Sequence, residues 1–152
     1  MFAAFSMVAN TPGPNPDDYV KTKSDILYYT KLTLGPTKAK LILDNGDKIT
    51  LMNNELIAYK KDGRIFEKVP LYYKNKATKR EVFMEILKYT NGMKLYRYTT
   101  FEQDVNLPHS VGETREVNKF YVYKNGNYHL QIDEANYKTV FAFFGINPKM
   151  EI

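Results

Sequence analysis

The densest hydrophobic pattern of the chain lies in residues 80–101, where two apolar runs flank the dipeptide Asn91-Gly92. Both residues of that dipeptide tolerate the positive φ angles of a tight reversal, so it is a strong signal for a β-hairpin. Large apolar side chains occupy both alternating sets of positions in the two runs, which is typical of strands covered on both faces. The pattern therefore predicts a central hairpin.

The register of this hairpin depends on the length of its loop. A loop of Asn91-Gly92 alone would place an isoleucine opposite an arginine. A loop that begins one residue earlier, at Thr90, matches acid with base and apolar with apolar, and such cross-strand pairs contribute roughly 0.2–1 kcal/mol each. We therefore predict the three-residue loop. The pairs that it predicts are Glu85 with Arg97, Ile86 with Tyr96, Leu87 with Leu95, Met84 with Tyr98 and Tyr89 with Met93.

The same test predicts a hairpin over residues 39–52, around Asn45-Gly46. A three-residue loop that also includes Asp44 gathers the aliphatic residues on one face, whereas a two-residue loop mixes the faces. Ala39, Leu41, Leu43, Ile49 and Leu51 share the predicted apolar face, and Lys40, Lys48 and Thr50 share the other.

A further hairpin is predicted around Asn125-Gly126, again with a three-residue loop that begins at Lys124. This register separates an apolar face from a wetter one that carries aromatic and polar side chains. The apolar face is predicted to contain Phe120, Val122, Tyr128, Leu130 and Ile132, and the wetter face Tyr121, Tyr123, His129 and Gln131.

The remaining strand signals are weaker. Residues 26–34 alternate with period two, which predicts a strand with Ile26, Tyr28, Thr30, Leu32 and Leu34 on one face. Asp62-Gly63 predicts another reversal, and neither of its registers separates the faces, so both stay open. Residues 74–79 are predicted to form a polar connection, and residues 102–116 the longest loop.

One segment has the period of a helix, and it lies near the end of the chain. Its apolar residues recur at i, i+3, i+4 and i+7, and the segment is preceded by a good N-cap and followed by a glycine that suits the C′ position. We predict a helix over residues 134–144 that lies across a sheet face or closes the end of a barrel. The signals are Asp133, Tyr137, Val140, Phe141, Phe144 and Gly145.

The elements add up to a mainly β fold, an antiparallel meander of about ten strands and one C-terminal α-helix. They leave open whether the sheet forms a sandwich or a partly open barrel. A chain of 152 residues can bury a core large enough for one domain, which we predict over residues 19–152. Residues 1–18 are predicted to be an apolar segment followed by a linker rich in proline.

Composition narrows the classes of protein that the chain can represent. The 13 tyrosines and 9 phenylalanines favour half-buried sheet positions. The chain contains no cysteine, which excludes disulfides, thiolate metal ligands and cysteine nucleophiles. Its first ten residues are too short to span a bilayer and resemble the end of a secretory signal, so we predict export. No other stretch of the sequence has transmembrane length.

Four hairpin motifs follow one another and are closed by a phenylalanine-rich helix. They occupy residues 43–48, 59–63, 81–98 and 121–126. In their order they resemble uncharacterised exported proteins of anaerobic gut Gram-negative bacteria, over residues 19–148. The resemblance implies a location in the periplasm or at the cell surface of a Gram-negative bacterium. It implies no activity and no site residues.

The sequence carries no recognisable catalytic constellation. Its serines lack the Gly-x-Ser-x-Gly elbow, and the pair Ser110 and His109 are neighbours that rarely act as nucleophile and base. His109 and His129 lack metal-binding spacing, and no glycine-rich phosphate loop is present. We therefore predict no enzymatic activity, no metal and no cofactor. The alternative is a small hydrolase that uses paired carboxylates from Glu102, Asp104, Glu113 and Glu116.

The basic residues suggest a second alternative. The formal net charge is +5, and residues 60–80 interleave lysines and arginines with aromatic residues, as single-strand nucleic-acid binders do. However, 18 of the 22 basic residues are lysine, which commonly protects exposed sheet edges. We therefore favour a solvated face over a nucleic-acid partner. The candidate contact residues in this region are Lys60, Arg64, Tyr72 and Tyr73.

A third candidate surface is aromatic. Tyr121 and Tyr123 beside His129 could form a platform for a sugar ring or a partner chain. The favoured function is a non-enzymatic exported domain that binds a protein, a glycan or a component of the cell envelope, or that serves as a structural module.

Overall fold

Ten antiparallel strands dominate the structure, a computed structural model that describes residues 17–103 and 114–147. The predicted mainly β fold with one helix near the C-terminus is confirmed. The strand order is β10-β9-β8-β7-β6-β5-β1-β2-β3-β4, so the sheet is open, with β4 and β10 at its edges. The elements are β1 Tyr19–Thr22, β2 Ile26–Leu34, β3 Lys38–Leu43, β4 Lys48–Met52, a 3-10 turn Asn53–Glu55, β5 Leu56–Lys61, β6 Arg64–Tyr73, β7 Lys76–Thr90, β8 Met93–Gln103, β9 Thr114–Lys124, β10 Asn127–Gln131 and α1 Tyr137–Phe143.

The chain forms two compact units, and the boundary between them falls inside β6, after Lys68. Unit 1 contains β1 to β5 and the first half of β6, and unit 2 contains the rest of β6, β7 to β10 and α1. Buried apolar residues occur in both units. The prediction of a single domain over residues 19–152 stays a prediction.

In unit 1, the hairpin of β3 and β4 has the predicted three-residue loop. Ala39 pairs with Leu51, and Leu41 pairs with Ile49 on the same face. Gly46 has a φ of +93°, and its N–H donates to the carbonyl of Leu43. Ala39 and Leu41 are buried, which confirms the predicted apolar face.

In unit 2, the predicted loop of the central hairpin is wrong. Thr90 pairs with Met93, so the loop is Asn91-Gly92 alone, and both residues have positive φ angles. A β-bulge between Ile86 and Lys88 then shifts the register by one residue. Because of that bulge, Glu85 still pairs with Arg97 and Ile86 with Tyr96, as predicted. The predicted pairs of Leu87 with Leu95 and of Tyr89 with Met93 are wrong, since Lys88 and Lys94 take the partner positions.

The hairpin of β9 and β10 also has a two-residue loop, so the prediction for its faces is partly wrong. Lys124 pairs with Asn127 and Tyr123 with Tyr128, and a bulge follows at His129. Tyr128 therefore lies on the face of Tyr123 and not with Leu130.

A bulge in β2 likewise overturns the predicted alternation of residues 26–34. Tyr29 pairs with Leu43 and Lys31 with Ile42, so Thr30 is the extra residue. The bulge brings Tyr29 onto the face of Leu32, and both are buried, whereas Ile26 and Tyr28 are exposed.

The structure decides the register of one turn that the sequence left undecided, and it corrects the prediction for another connection. The reversal at Asp62-Gly63 is a two-residue turn in which Lys61 pairs with Arg64. The predicted polar connection of residues 74–79 is only the turn Lys74-Asn75, after which β7 begins at Lys76. Both turn residues have positive φ angles, which Asn tolerates better than most residues. Both ends of the predicted loop 102–116 belong to strands, since β8 runs to Gln103 and β9 begins at Thr114, and the rest of that prediction lies outside the described residues.

Helix α1 is shorter than predicted because residues 134–136 form a turn. The carboxylate of Asp133 accepts the N–H groups of Ala135 and Asn136, which holds that turn in place. At the other end, Gly145 donates to Ala142 and Ile146 donates to Phe141, the pattern of a Schellman motif. The predicted apolar stripe is confirmed, since Tyr137, Val140, Phe141 and Phe144 all pack on the sheet.

Both faces of the unit 2 sheet are covered. On one face the helix packs over Leu95, Phe120, Val122 and Ile132. The other face carries the tyrosine cluster, which we define as Tyr72, Tyr96, Tyr121, Tyr123 and Tyr128.

The tyrosine cluster joins strands from opposite ends of the unit 2 strand order. The ring of Tyr72 on β6 stacks on that of Tyr128 on β10, with centroids 4.1 Å apart. The hydroxyl of Tyr123 donates to the carbonyl of Pro70, and that of Tyr128 to the side chain of Asn75 at 2.6 Å. The sheet of unit 2 therefore curls until side chains of its first and last strands meet.

Candidate binding site

An apolar pocket lies between α1 and the sheet in unit 2, and we call it the helix pocket. Its volume is about 200 Å³. The lining is apolar except for His129 and Thr139, which are both exposed. The apolar lining consists of Met93, Val122, Leu130, Val140, Phe143 and Phe144.

Three local features of the fold create the helix pocket. The Schellman motif after Phe143 ends the helix before it can cover the sheet further. Phe144 is buried while its neighbour Phe143 is 47% exposed, and the two rings meet edge to face at 5.1 Å. The bulge at His129 brings its side chain to the same pocket as Leu130.

The lining defines what the helix pocket can bind. Its apolar walls favour an apolar group, because removing apolar surface from water stabilises binding. The phenylalanine edges and the thioether of Met93 interact favourably with aromatic rings. His129 and Thr139 are the polar residues of the lining, and almost all of the surface that lines the pocket is apolar.

The predicted aromatic platform is wrong in its geometry. Tyr121 and Tyr123 are 2% and 1% exposed, so neither presents a ring face to solvent. They belong to the tyrosine cluster, whereas His129 lines the helix pocket. Burial raises the pKa of Tyr121 to about 12, with smaller contributions from Tyr128 and Tyr98. Burial also raises the pKa of Tyr123 far above its usual value.

The four candidates of the basic region fall in different units. In unit 1, Lys60 is half-buried and Arg64 stacks its guanidinium over the ring of Phe66 at 5.3 Å. In unit 2, Tyr72 is half-buried in its stack with Tyr128. Tyr73 is 59% exposed, and the ammonium of Lys74 lies over its ring at 5.4 Å.

Two of the four candidate carboxylates lie in the described residues, and these two do not face each other. Glu102 pairs with Arg115 and Phe101 with Glu116, so Glu102 and Glu116 lie on opposite faces of the sheet. Glu102 also forms a salt bridge with Lys119 at 3.5 Å. Asp104, His109, Ser110 and Glu113 lie outside the described residues.

A second pocket lies in unit 1 and has a volume of about 160 Å³. It is lined by Asp18, whose carboxylate accepts the N–H groups of Asp62 at 2.8 Å and Gly63 at 3.2 Å. The ammonium of Lys61, also in the lining, donates to the carbonyl of Leu32. Since these polar groups already have partners within the fold, the helix pocket is the better candidate for a ligand.

Sequence reasoning predicted no pocket at this place. It placed Val122 and Leu130 together on an apolar face, which α1 covers, and it named His129 only as part of the aromatic platform. It missed Met93, Thr139 and Phe143. Phe143 follows the helical stripe out of phase, and an unexplained large apolar residue beside such a stripe is the signal that could have found it.

Within residues 17–103 and 114–147, no group of three or more His, Asp or Glu side chains is placed to hold a metal ion. No helix of the same residues is long and apolar enough to cross a bilayer. A comparison of the chain with the models of known protein families, with curated proteins and with solved structures finds no match.

Proposed function

We propose that this protein is a non-enzymatic binding domain that is exported to the periplasm or cell surface, and that the helix pocket of unit 2 receives its ligand. The observation that carries the proposal is an apolar volume of about 200 Å³ beside an otherwise packed core. The pocket is partly open to solvent, since His129, Thr139 and Phe143 in its lining are exposed. A concave and mostly apolar surface is the usual form of a small-ligand site.

The surroundings of the helix pocket support a site that exists before the ligand binds. The helix is held at its C-terminal end by the Schellman hydrogen bonds and at its start by the turn around Asp133. Beneath it, Leu95 and Val122 are fully buried. A pre-formed pocket avoids the cost of ordering side chains upon binding, so even a small ligand can bind there.

Methyl-resolved NMR of the full-length protein tests this function. Titration with a set of small saccharides, aliphatic alcohols and monocyclic aromatics should shift the methyl signals of Met93 and Leu130 in a saturable way for at least one class. The methyl signals of Leu41 and Val20 in unit 1 are the internal control and should not move. If no class gives saturable shifts at the helix pocket, the proposed binding function is wrong.

Export is tested separately by fractionation of cells that produce the full chain. The proposal expects the protein in the periplasmic or surface fraction. Recovery from the cytoplasm alone would contradict the proposed location.

A further inference from the structure

We propose that unit 1 binds the surface of an anionic phospholipid bilayer through the exposed face of strands β1 to β4, which we call the basic face. The inference goes beyond the proposed function, since it concerns the other unit and does not involve the helix pocket. Its support is the sign of the charges, their arrangement across the strands and the apolar side chains among them. The cations of the basic face are Lys21, Lys31, Lys38, Lys40 and Lys48.

The basic face carries charge of one sign. Strands β1 to β4 contain five lysines and no aspartate or glutamate. The register places all five on the side of the sheet opposite to the buried Leu32, Ala39 and Leu41, and all five are exposed. Within the described residues, none of their ammonium groups forms a salt bridge.

The acids of this part of the chain lie in the turns, as Asp25, Asp44 and Asp47. On the basic side of the sheet, the first carboxylate in the strand order is that of Glu67 on β6, two strands from β1. A face that serves only solubility would intersperse charges of both signs. A field of one sign instead attracts a partner of the opposite charge.

Protection of the sheet edge does not account for the basic face. Lysine commonly prevents an exposed edge strand from pairing with another chain. In unit 1 the edge strand is β4, and it carries only Lys48. The other four lysines lie on β1, β2 and β3, each of which is paired on both sides.

The lysines form a two-dimensional array. Lys40 lies opposite Thr33 on β2 and Thr50 on β4, so it is the diagonal neighbour of both Lys31 and Lys48. Such neighbours are about 7–8 Å apart, and the positive charge therefore extends across three strands. A surface of anionic headgroups is also two-dimensional, and clusters of lysines bind it as point charges.

A single-stranded nucleic acid fits this array less well. Proteins hold such a strand in a groove that follows its backbone, with aromatic rings on which successive bases stack. Arginine, which matches phosphate with two hydrogen bonds, is also the preferred cation there. The basic face has lysines alone, and they spread over the strands without following one line.

Exposed apolar side chains lie among the lysines. Ile26 pairs with Lys21 and Met52 with Lys38, and Tyr28 follows Ile26 on the same face. Ile26, Tyr28 and Met52 are all exposed. Tyrosine is enriched at the level of lipid headgroups, and apolar groups that enter this layer add to the electrostatic attraction. The basic face therefore combines both contributions to binding at a membrane surface.

Sedimentation of the full-length protein with lipid vesicles tests the partner. One set of vesicles contains phosphatidylcholine alone, and the other contains phosphatidylcholine with an equal amount of phosphatidylglycerol. We expect binding to the anionic vesicles only. The binding should weaken as sodium chloride is added, because salt screens the interaction between exposed charges.

Two triple variants test the face. Gln in place of Lys31, Lys40 and Lys48 should weaken binding on the order of 100-fold, since each lysine near an anionic surface contributes about 5-fold. The control has Gln in place of three exposed lysines of unit 2, namely Lys76, Lys79 and Lys88. It lowers the net charge equally and should bind like the unaltered protein.

A tryptophan reporter tests the orientation. The chain contains no tryptophan, so a single introduced one reports on its own surroundings. Tyr28→Trp places it on the basic face, and Tyr73→Trp places it at an exposed position of unit 2. On anionic vesicles the emission of Tyr28→Trp should shift to shorter wavelength, and that of Tyr73→Trp should stay unchanged.

Several results would overturn the proposal. It is wrong if neither kind of vesicle binds, if both bind equally, if the two triple variants lose the same affinity, or if only Tyr73→Trp responds. If a single-stranded polynucleotide binds and the anionic vesicles do not, the class of partner is wrong. The methyl titration of the helix pocket succeeds or fails independently of these results, so the two proposals can be separated.

Discussion

The hairpins of β3–β4 and β7–β8 are built around the same Asn-Gly dipeptide and yet have different turns. In the first, Gly46 alone has a positive φ, and the carboxamide of Asn45 hydrogen-bonds Asp47 through both its oxygen and its nitrogen. In the second, Asn91 and Gly92 both have positive φ angles. The first hairpin is buried on one face only, and the second on both.

The comparison shows that the register of a hairpin depends on the length of its loop and on any bulges in its strands together. In β7–β8, Thr90 is paired with Met93 and does not lie in the loop, and a bulge at Leu87 supplies the compensating shift. Glu85 and Arg97 therefore meet at 2.6 Å in spite of the shorter loop. The matching of side chains across the strands predicts the pairing far from the turn. It does not predict whether the one unpaired residue lies in the loop or in a bulge.

The two hairpins should differ most when a side chain is truncated on the face that is buried in β7–β8 and exposed in β3–β4. The quantity that should differ is the loss in free energy of unfolding. Tyr96→Ala removes a ring that is 3% exposed and leaves a cavity, which should lower the free energy of unfolding by about 3–5 kcal/mol. Lys40→Ala acts at an exposed position of β3 and should change it by less than about 0.5 kcal/mol. Urea denaturation measures both, and similar values for the two variants would contradict the one-sided and two-sided description.

Alkaline pH should weaken the tyrosine cluster that covers one face of β8. The pKa of Tyr121 is about 12 in the folded protein against 10.0 for the ordinary group, because burial disfavours the phenolate. Burial of the neutral Tyr121 side chain therefore contributes fully to the free energy of unfolding below pH 10. Part of that contribution is lost as pH rises from 10 to 12, because the unfolded chain ionises first. The loss is on the order of 2 kcal/mol for this residue at 1.36 kcal/mol per pH unit.

Denaturant unfolding between pH 8 and 12 measures this loss. Tyr121→Phe keeps the ring and removes the ionisable hydroxyl, so its stability should fall less steeply with pH than that of the unaltered protein. Tyr73→Phe is the matched control at an exposed tyrosine and should leave the pH profile as it is. Identical profiles for Tyr121→Phe and the unaltered protein would contradict the assigned cause.

Alanine in place of the turn glycines should have a smaller effect, and an unequal one. Both glycines have positive φ angles, which costs other residues roughly 1–2 kcal/mol. A Cβ at Gly92 would also lie 2.7 Å from the side-chain oxygen of Asn125, whereas a Cβ at Gly46 meets nothing within 4 Å. Gly92→Ala should therefore destabilise more than Gly46→Ala, and the excess should disappear in an Asn125→Gly background. Thermal unfolding measures each variant, and an excess that persists in that background would exclude this contact as its source.

Glycine in place of the turn asparagines should have the smallest effect, and the two hairpins should respond differently. Asn91→Gly relieves a positive φ of 50° and should change stability by less than about 0.5 kcal/mol. Asn45→Gly removes the hydrogen bonds to Asp47 and should cost about 0.5–1.5 kcal/mol. Equal costs in urea denaturation would show that the two turns do not differ in solution.

The sequence was most informative where a periodic pattern controls burial. The stripe of α1 and the apolar face of Ala39 and Leu41 follow from periodicity, because a wrong phase would expose apolar side chains. The bulges at Thr30 and His129 could not be predicted, since an extra residue in a strand leaves no compositional signal. Strand alternation places Tyr121 and Tyr123 opposite Phe120 and Val122, but it does not show that this second face is buried as well.

The helix pocket was beyond the reach of the sequence for a similar reason. Its lining combines residues of β8, β9, β10 and α1, and its volume depends on where the helix ends relative to the sheet. His129 enters the pocket only because of the bulge. Periodicity predicted which residues of the helix face the sheet, but the space left between the two elements is a matter of three-dimensional packing.

Asp18 belongs to the packed part of unit 1. The sequence predicts that residues 1–18 lie outside the domain, yet Asp18 is only 4% exposed. Its carboxylate accepts the N–H groups of Asp62 and Gly63 in the turn between β5 and β6. A shortened version that starts at Tyr19 would lack the anchor of a turn more than forty residues away.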